Sequence, residues 1–572
     1  MNNELSLYNL WCEKAVDDPE LQAELKSIEG DNEAIKDRFY RNLEFGTGGL
    51  RGVIGAGTYR LNIYTIRRAT QGLADYVNEA YKNPSMAIAH DSRINSDVFT
   101  KAAASVLAAN GIKVYLYSEL MPTPMLSFAV RNLKCSAGIM ITASHNPAKY
   151  NGYKVYGEDG CQMTLDAAQR VLEKINSIDM FEGITDTDYD KAVENGMINY
   201  IGEDVINEYY ENVLAQGINT DLCAESGLKV VYTPLNGTGN KPVRHILSKI
   251  GISDVTVVPE QENPDGHFPT CPFPNPEIKE ALALGLKLCE KCNPDLLLAT
   301  DPDADRVGIA VPSDNGYVLF SGNETGALLL EYICSQRTEK GTMPENPIAV
   351  KTIVTTSIVD LIAKDYGVEV IDVLTGFKFI GEQIGLLENK GQENRYIFGF
   401  EESYGYLAGS YVRDKDAVVA SMLICEMAAY YRTKGITLLQ ARENLYKKYG
   451  QFVHKQESFQ FEGASGMEKM QEIMAHLRSS HPTEIAGLKV TEFADYIAST
   501  NKVIATGEII RITLPKSDVL SFKLVDGASV IIRPSGTEPK IKAYYTTKCD
   551  THDEAIALEE KISADFKKIL GV

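Results

Sequence analysis

The 572-residue chain has no excess of basic charge. Its 57 Lys and Arg stand against 78 Asp and Glu, a formal net charge of −21 at pH 7. Nucleic-acid binding that ignores sequence rests on basic surface, so that partner class is set aside. Long apolar runs are also missing: none approaches the ~18–20 residues that span a bilayer. The best candidate, residues 417–431, is shorter and contains Glu426, so it reads as a core helix. A signal peptide is not expected either. The first twenty residues hold Glu4, Glu13, Asp17, Asp18 and Glu20 in place of a basic and then apolar stretch. The expectation is a cytoplasmic protein with no membrane and no nucleic-acid partner. Zinc-type cysteine clusters are absent too. Of ten cysteines, Cys289 and Cys292 have C-x-x-C spacing, but no second Cys or His pair stands nearby. They read as the end of a helix over 277–291, and the other cysteines as small buried hydrophobes.

What is present is an alternation of strand and helix patterns, which favours α/β domains with largely parallel sheets. The length leaves room for about three to five domains. A strand over 86–89 ends in His90-Asp91-Ser92-Arg93, and a helix over 98–110 is stopped by Gly111. A strand over 113–117, a loop with Pro122 and Pro124, and a further helix then lead to the apolar run 138–141 and Ser144. Such doubly wound units place ligands at the carboxyl ends of strands. A second unit starts near 206, with a strand over 228–232 and the turn Asn236-Gly-Thr-Gly239. The segment 263–277 holds five prolines and should be irregular. A strand over 295–299 follows the helix and ends in Thr300-Asp-Pro-Asp-Ala-Asp-Arg306. A third unit has a helix from about 323, a strand over 348–351, a helix over 358–366 and a strand over 369–373. Its last strand, 396–400, runs into Glu401-Glu-Ser-Tyr-Gly405. From about 441 the pattern changes to helices with alternating strands (530–532 and 541–545) around Arg533-Pro-Ser-Gly-Thr-Glu-Pro539. The expected domains are α/β over 1–205, 206–318 and 319–440, and α+β over 441–572.

Several of these strand ends hold residues suited to chemistry. Ser144 sits in Thr-Ala-Ser-His-Asn-Pro147, where Pro147 disfavours helical geometry at Asn146 and holds the turn open. A hydrolase elbow would need Gly two residues either side of the serine, and Thr142 and Asn146 stand there. Lys154 lies on the next strand and returns to the same region. Asp301, Asp303 and Asp305 share the opening spacing of an EF-hand, but Arg306 and Pro312 occupy the places that need Gly and Glu. In a loop, three such carboxylates converge on one hard cation, and Mg²⁺ prefers oxygen ligands. Gly46-Thr-Gly-Gly-Leu-Arg51-Gly52 offers flexible backbone N–H groups and a guanidinium, without a P-loop ending. Arg533, Ser535, Gly536 and Thr537 suit a phosphate: a bidentate arginine, two hydroxyl donors and close backbone approach. Glu401, Glu402 and Ser403 suit vicinal sugar hydroxyls, since carboxylates accept such bonds in pairs. Arg413-Asp-Lys415-Asp416 adds cations nearby. Together these point to a Ser144 that carries a phosphoryl group and hands it to a sugar phosphate.

With these motifs in this order, the chain resembles the α-D-phosphohexomutases, the phosphoglucomutase/phosphomannomutase superfamily. The Ser144 turn looks like that family's phosphoserine loop, and Asp301-Pro-Asp-Ala-Asp-Arg306 like its magnesium loop. Thr375-Gly376-Phe-Lys378 and Glu401-Glu-Ser-Tyr-Gly405 look like its sugar-binding segments, and Arg533-Pro-Ser-Gly-Thr537 like its phosphate loop. The resemblance implies three similar α/β domains with mixed, mostly parallel sheets and a C-terminal α+β domain around a central cleft. It implies Ser144 as nucleophile and donor, and Mg²⁺ on Asp301, Asp303, Asp305 and a phosphoserine oxygen. His145 and Lys154 would serve as acid/base or charge stabilisers, and Arg51 and Arg306 would lie by the phosphoserine. Glu402, Ser403 and Lys415 would contact the sugar. Glucose 1-phosphate and glucose 6-phosphate would interconvert through glucose 1,6-bisphosphate in a monomer or weak homodimer. Pentose and mannose phosphomutases, a sugar-bisphosphate synthase and a non-catalytic phosphosugar-binding protein are the alternatives. Shorter members often carry His where this chain has Tyr406. That departure and the length place the chain with a longer phosphoglucomutase/phosphopentomutase-like subgroup.

Overall fold

The computed structural model describes residues 2–46, 48–461, 466–535 and 539–572. The chain forms two compact units: residues up to Gly322 with Ile380–Thr437, and Asn323–Phe379 with Leu438–Val572.

The first unit opens with three short helices, Asn2–Lys14, Pro19–Ser27 and Asn32–Phe39, which sequence reasoning had not resolved. Asp18 and Asp31 cap the second and third by accepting backbone N–H bonds. They attach through Trp11, which is fully buried and meets Phe39, Tyr64 and Phe181 edge-on at 5.3–5.9 Å. Beyond them lie β1 (Gly49–Val53), β2 (Ser85–His90), β3 (Lys113–Leu116), β4 (Ala137–Ile141), β5 (Tyr150–Gly157) and β6 (Ile198–Tyr200). Their order is β1-β5-β4-β2-β3-β6. β4, β2, β3 and β6 run parallel, while β5 is antiparallel to both β4 and β1. Every residue of β4 is buried, as its unbroken apolar run requires.

A second sheet comprises β7 (Lys229–Thr233), β8 (Asp254–Val257), β9 (Leu296–Thr300), β10 (Val307–Ser313) and β11 (Gly316–Phe320), in the order β11-β10-β9-β7-β8. β7 pairs parallel with β8 and β9, and β10 antiparallel with β9 and β11. The helix expected over 277–291 is shorter, Ala283–Cys292. Pro272, Pro274 and Pro276 keep the preceding segment irregular, and residues 278–282 form successive turns before the helix begins. Cys292 closes that helix, as expected.

In the second unit β12 (Ile348–Thr352) and β13 (Glu369–Val373) pair in parallel. Back in the first unit β14 (Tyr396–Glu401) and β15 (Gly405–Leu407) form an antiparallel hairpin. The helix Ala417–Thr433 follows and is buried nearly end to end, with Asp416 as its cap. Glu426 is tolerated inside because the Ile218 and Asn219 N–H groups donate to its carboxylate at 2.9–3.1 Å. Among the described residues no helix is long and apolar enough to cross a membrane.

The second unit ends in a sheet with strands β16 (Gln451–Gln460), β17 (Glu484–Ile485), β18 (Leu488–Asp495), β19 (Thr500–Val503), β20 (Ile509–Arg511), β21 (Leu520–Leu524), β22 (Ser529–Pro534) and β23 (Lys540–Cys549). Their order is β16-β23-β22-β21-β18-β19-β20, antiparallel throughout, with β17 on β18. Helices Gly466–Ser479 and His552–Leu570 cover one face through Met474, Ile562 and Phe566.

Candidate active site

The Ser144 turn leaves β4 beside the end of β2. Its backbone is in the left-handed region, φ 51°, a conformation that costs an ordinary residue about 1–3 kcal/mol and needs support. The support is a buried pair that sequence reasoning missed. Arg93 donates to the carbonyls of Ser144 and Asn146, and also to Pro147 at 3.0 Å and Tyr150 at 2.9 Å. Asp91 lies 3.4 Å from the Arg93 guanidinium, and both side chains are fully buried. Thr142 Oγ1 donates to Asp91 at 2.6 Å and accepts the Ser144 N–H at 2.8 Å. β5 runs so close that a Cβ on Gly152 would lie 2.4 Å from the Thr142 carbonyl oxygen, which only glycine avoids.

The acidic loop leaves β9 in a tight turn with Ala304 at φ 48°. Asp301 Oδ1 accepts the N–H groups of Asp305 and Arg306 at 3.1 and 3.0 Å. The Asn236–Gly239 turn braces it from below: Thr238 donates its N–H to the Pro302 carbonyl at 2.8 Å, and a Cβ on Gly237 would meet Pro302 Cα at 2.4 Å. The three aspartates are buried, and one oxygen from each lies within 4.8 Å of the others.

The two loops meet. Ser144 Oγ donates to Asp301 Oδ2 at 2.8 Å and lies 3.1 Å from His145 Nδ1. Lys154, on β5, is 3.0 Å from Asp303 Oδ2 and 3.8 Å from Asp305. Thr123 adds a 3.0 Å bond to Asp303 Oδ2. Lys415 Nζ reaches Asp305 at 3.2 Å and is held from behind by Asp414 at 3.1 Å, which accepts the Tyr156 hydroxyl at 2.7 Å. Arg306 is 3.8 Å from Asp305 and donates to Glu277 at 2.6 Å. Arg51 faces the same charges from β1, with its side chain exposed.

Burial, and then Asp303 and Asp305, push the Asp301 carboxyl well above its ordinary range. Burial works against ionisation of Asp303 too, but Lys154 and the bond with Asp301 outweigh it and hold Asp303 below the ordinary range. His145 is pushed well down by burial, then by Arg306 and Arg51, so it is neutral near pH 7. One oxygen of Asp303 and one of Asp305 are buried without a hydrogen-bond partner among the described residues. A surplus of buried carboxylate with unused oxygens fits a hard divalent cation such as Mg²⁺.

Of the sugar-type residues, Glu401 ends β14 and pairs with Gly405 across the hairpin, with Glu402, Ser403 and Tyr404 as its turn. Glu401 is buried and acts electrostatically on Lys415 and Arg306. Tyr406 is a core residue, stacked on Phe398 and Phe400 with its hydroxyl 3.3 Å from the Gly322 carbonyl. In the second unit Arg533 donates to Thr375 Oγ1, next to Gly376 and Lys378. Ser535 donates its N–H to the Lys540 carbonyl at 2.7 Å. Gly536 and Thr537, and Thr47 of the glycine-rich segment, lie outside the described residues.

Four family models match the chain in order. They are described as phosphoglucomutase/phosphomannomutase α/β/α domains I (42–182), II (207–315) and III (321–449) and the C-terminal domain (483–563). A phosphoglucomutase of Staphylococcus saprophyticus is 39% identical over 90% of this chain and 92% of its own. One from Staphylococcus aureus is 38% identical over 97% of each. The open form of Paramecium parafusin, a phosphoglucomutase, shares the fold with a TM-score of 0.68 at 18% identity, over 93% of this chain and 97% of its own. The chain belongs to the phosphoglucomutase/phosphomannomutase family.

Proposed function

We propose that the chain is a phosphoglucomutase that interconverts glucose 1-phosphate and glucose 6-phosphate through a phosphoserine at Ser144. The observation that carries this reading is Ser144 Oγ, 2.8 Å from Asp301 within a cluster of three buried carboxylates. Relatives at 38–39% identity over nearly the whole chain carry that name. The enzyme is an isomerase of carbohydrate metabolism, and the cytoplasm is its proposed site, as a monomer or weak homodimer. The domain division 1–205, 206–318, 319–440 and 441–572 belongs to the same proposal.

Asp301, Asp303, Asp305 and a phosphoserine oxygen would hold Mg²⁺, which would neutralise charge on the transferring phosphoryl group. The free hydroxyl of glucose 1-phosphate attacks phosphorus, the Oγ–P bond of phospho-Ser144 breaks, and a sugar O–P bond forms. The hydroxyl proton passes to a base in the cluster, and Ser144 Oγ takes up a proton as it leaves; His145, which is neutral, and Lys154 in its amine form are the candidate carriers. Glucose 1,6-bisphosphate then turns over and returns its other phosphoryl group to Ser144, leaving glucose 6-phosphate. The bisphosphate therefore also acts as activator. Arg51 and Arg306 balance charge. Thr375, Gly376, Lys378, Glu401, Glu402, Ser403 and Lys415 take the sugar, and Arg533, Ser535, Gly536 and Thr537 take the phosphate that is not transferring. Ser144→Ala tests the reading: turnover in a coupled assay should fall by about 10⁴-fold or more, with an unchanged thermal melt. Near-normal turnover would refute the role of Ser144.

A further inference from the structure

The second unit has a solvent-open pocket of about 420 Å³, within the ~300–1,000 Å³ range of small-molecule sites. One wall is β12 and β13 with the turn after β12 and the helix Ile358–Tyr366, presenting Lys351, Thr355, Asp360 and Asp372. The other wall is a face of the C-terminal sheet. Register there aligns a polar row across the strands: Glu492 opposes Lys523, Lys523 opposes Ser529, Ser529 opposes Thr546, and Thr546 opposes His454. Cross-strand neighbours of this kind share one face.

Three carboxylates, Asp360, Asp372 and Glu492, stand against Lys351 and Lys523, so the pocket carries one surplus negative charge. Lys351 is 2.6 Å from Asp372 and 3.8 Å from Asp360. Lys523 is 3.2 Å from Glu492, which also accepts the Asn501 amide at 2.7 Å. His454 lies 3.1 Å from Thr546 Oγ1, and burial, then Lys351, push it down to about 4, so it is neutral. The surplus carboxylate disfavours an anion such as a phosphate. The other polar groups are uncharged. Ser521, Ser529 and Thr546 offer hydroxyls, and Asn501 Oδ1 is buried and accepts no hydrogen bond among the described residues. Beneath them lies an apolar floor of Val354, Ile531 and Tyr544, flanked by Ile353 and Tyr496. Hydroxyls, an amide and paired carboxylates above an apolar and aromatic floor match the vicinal hydroxyls and C–H face of a sugar ring.

We propose that this cavity binds an uncharged mono- or disaccharide, at a site distinct from the phosphosugar site of the proposed reaction. Ser529, Ile531 and Arg533 alternate along one face of β22. An occupant therefore lies against the strand that carries the arginine assigned to phosphate.

The test titrates the full chain with maltose and with glucose, reading heat by calorimetry and backbone protection by hydrogen exchange. Saturable binding with protection over residues 488–503 and 520–534 is expected. Asn501→Ala should weaken it at least about fivefold, and Ser529→Trp, which fills the cavity, should abolish it. Basal turnover of Asn501→Ala on glucose 1-phosphate should stay at the wild-type value. If Ser529→Trp fails to fold, Asn501→Ala decides alone. The proposal is overturned by no heat and no protection up to about 50 mM sugar, by protection confined to the Ser144 and Asp301 loops, or by inorganic phosphate or ATP giving equal protection over residues 488–503. Binding that Asn501→Ala leaves unchanged overturns it as well.

Discussion

In the first unit, the buried carboxylates of Asp301, Asp303 and Asp305 face Lys154 and Lys415, and Lys415 is shared with Asp414. In the second, Lys351 and Lys523 each meet their own carboxylates, with His454 neutral beside them. Buried charge is costly unless paired. Where three carboxylates are spread over separate elements and share two lysines, the charges fix strands and leave one surplus negative charge. Where the carboxylates crowd within 4.8 Å of one another, on a loop braced by the Gly237 turn, two of their oxygens accept no hydrogen bond among the described residues and are free to bind a cation. The difference separates carboxylates gathered as candidate cation ligands from carboxylates dispersed among hydroxyls.

The largest effect should come from removing charge where it is most crowded. Asp303→Asn is expected to lower turnover by about 10²–10³-fold and to raise the Mg²⁺ concentration needed for half-activation. Treatment with EDTA should silence the wild type, and Mg²⁺ should restore it. Full activity in EDTA would remove the metal from the account, whereas rescue by Zn²⁺ alone would change its chemistry. Next comes the scaffold under the same site. Arg93→Lys keeps the charge but loses the fork that serves the turn's carbonyls. It should destabilise by about 2–4 kcal/mol and lower kcat with little change in KM, as read by melts and steady-state kinetics. A variant with normal kcat would show that the Ser144 turn holds itself.

A smaller contrast separates sugar from phosphate recognition. Glu402→Ala should compress the preference for glucose over mannose 1-phosphate by about tenfold, because a site built for particular hydroxyls penalises unpaired groups. Arg533→Ala should raise KM for both sugars by a similar factor and keep the preference, as uniform binding loss does. Equal ratios in both variants would remove Glu402 from sugar recognition. The smallest effect concerns His454. Its folded pKa of about 4 lies below its ordinary value, so the stability tied to the neutral ring is full above about pH 6.5 and is lost as pH falls toward 4. His454→Gln should flatten the fall of Tm over that window by a few degrees. An unchanged acid limb would mean that the ring is not held neutral by the fold.

The reacting groups were legible because each follows a strand directly. An apolar run ending in Ser144 or in alternating aspartates marks a carboxyl edge, where α/β sheets place ligands. Their partners were not legible, because they come from far along the chain. Arg93 serves carbonyls 51–57 residues away, and Thr123 reaches Asp303 across 180. The one available signal was position: His90-Asp91-Ser92-Arg93 ends β2, which neighbours β4. The alternation of strands and helices gave the α/β sheets, and the change of pattern near 441 gave the α+β C-terminal part, whose antiparallel pairing was not read. The three opening helices escaped because short helices leave little periodicity, and Trp11 and Phe39 gain meaning only against Tyr64 and Phe181. The late start of the helix at Ala283 reflects local turns after the prolines, which periodicity over 277–291 does not register.

The central claim is that Ser144 gives and takes the phosphoryl group. The direct measurement loads the full chain with glucose 1,6-bisphosphate, locates the phosphate by peptide mass mapping, and chases with glucose 1-phosphate and Mg²⁺. The account predicts one phosphoryl group per chain, on Ser144, that leaves during the chase as glucose 1,6-bisphosphate appears. Phosphate on another residue, or a phospho-Ser144 that survives the chase, would contradict it.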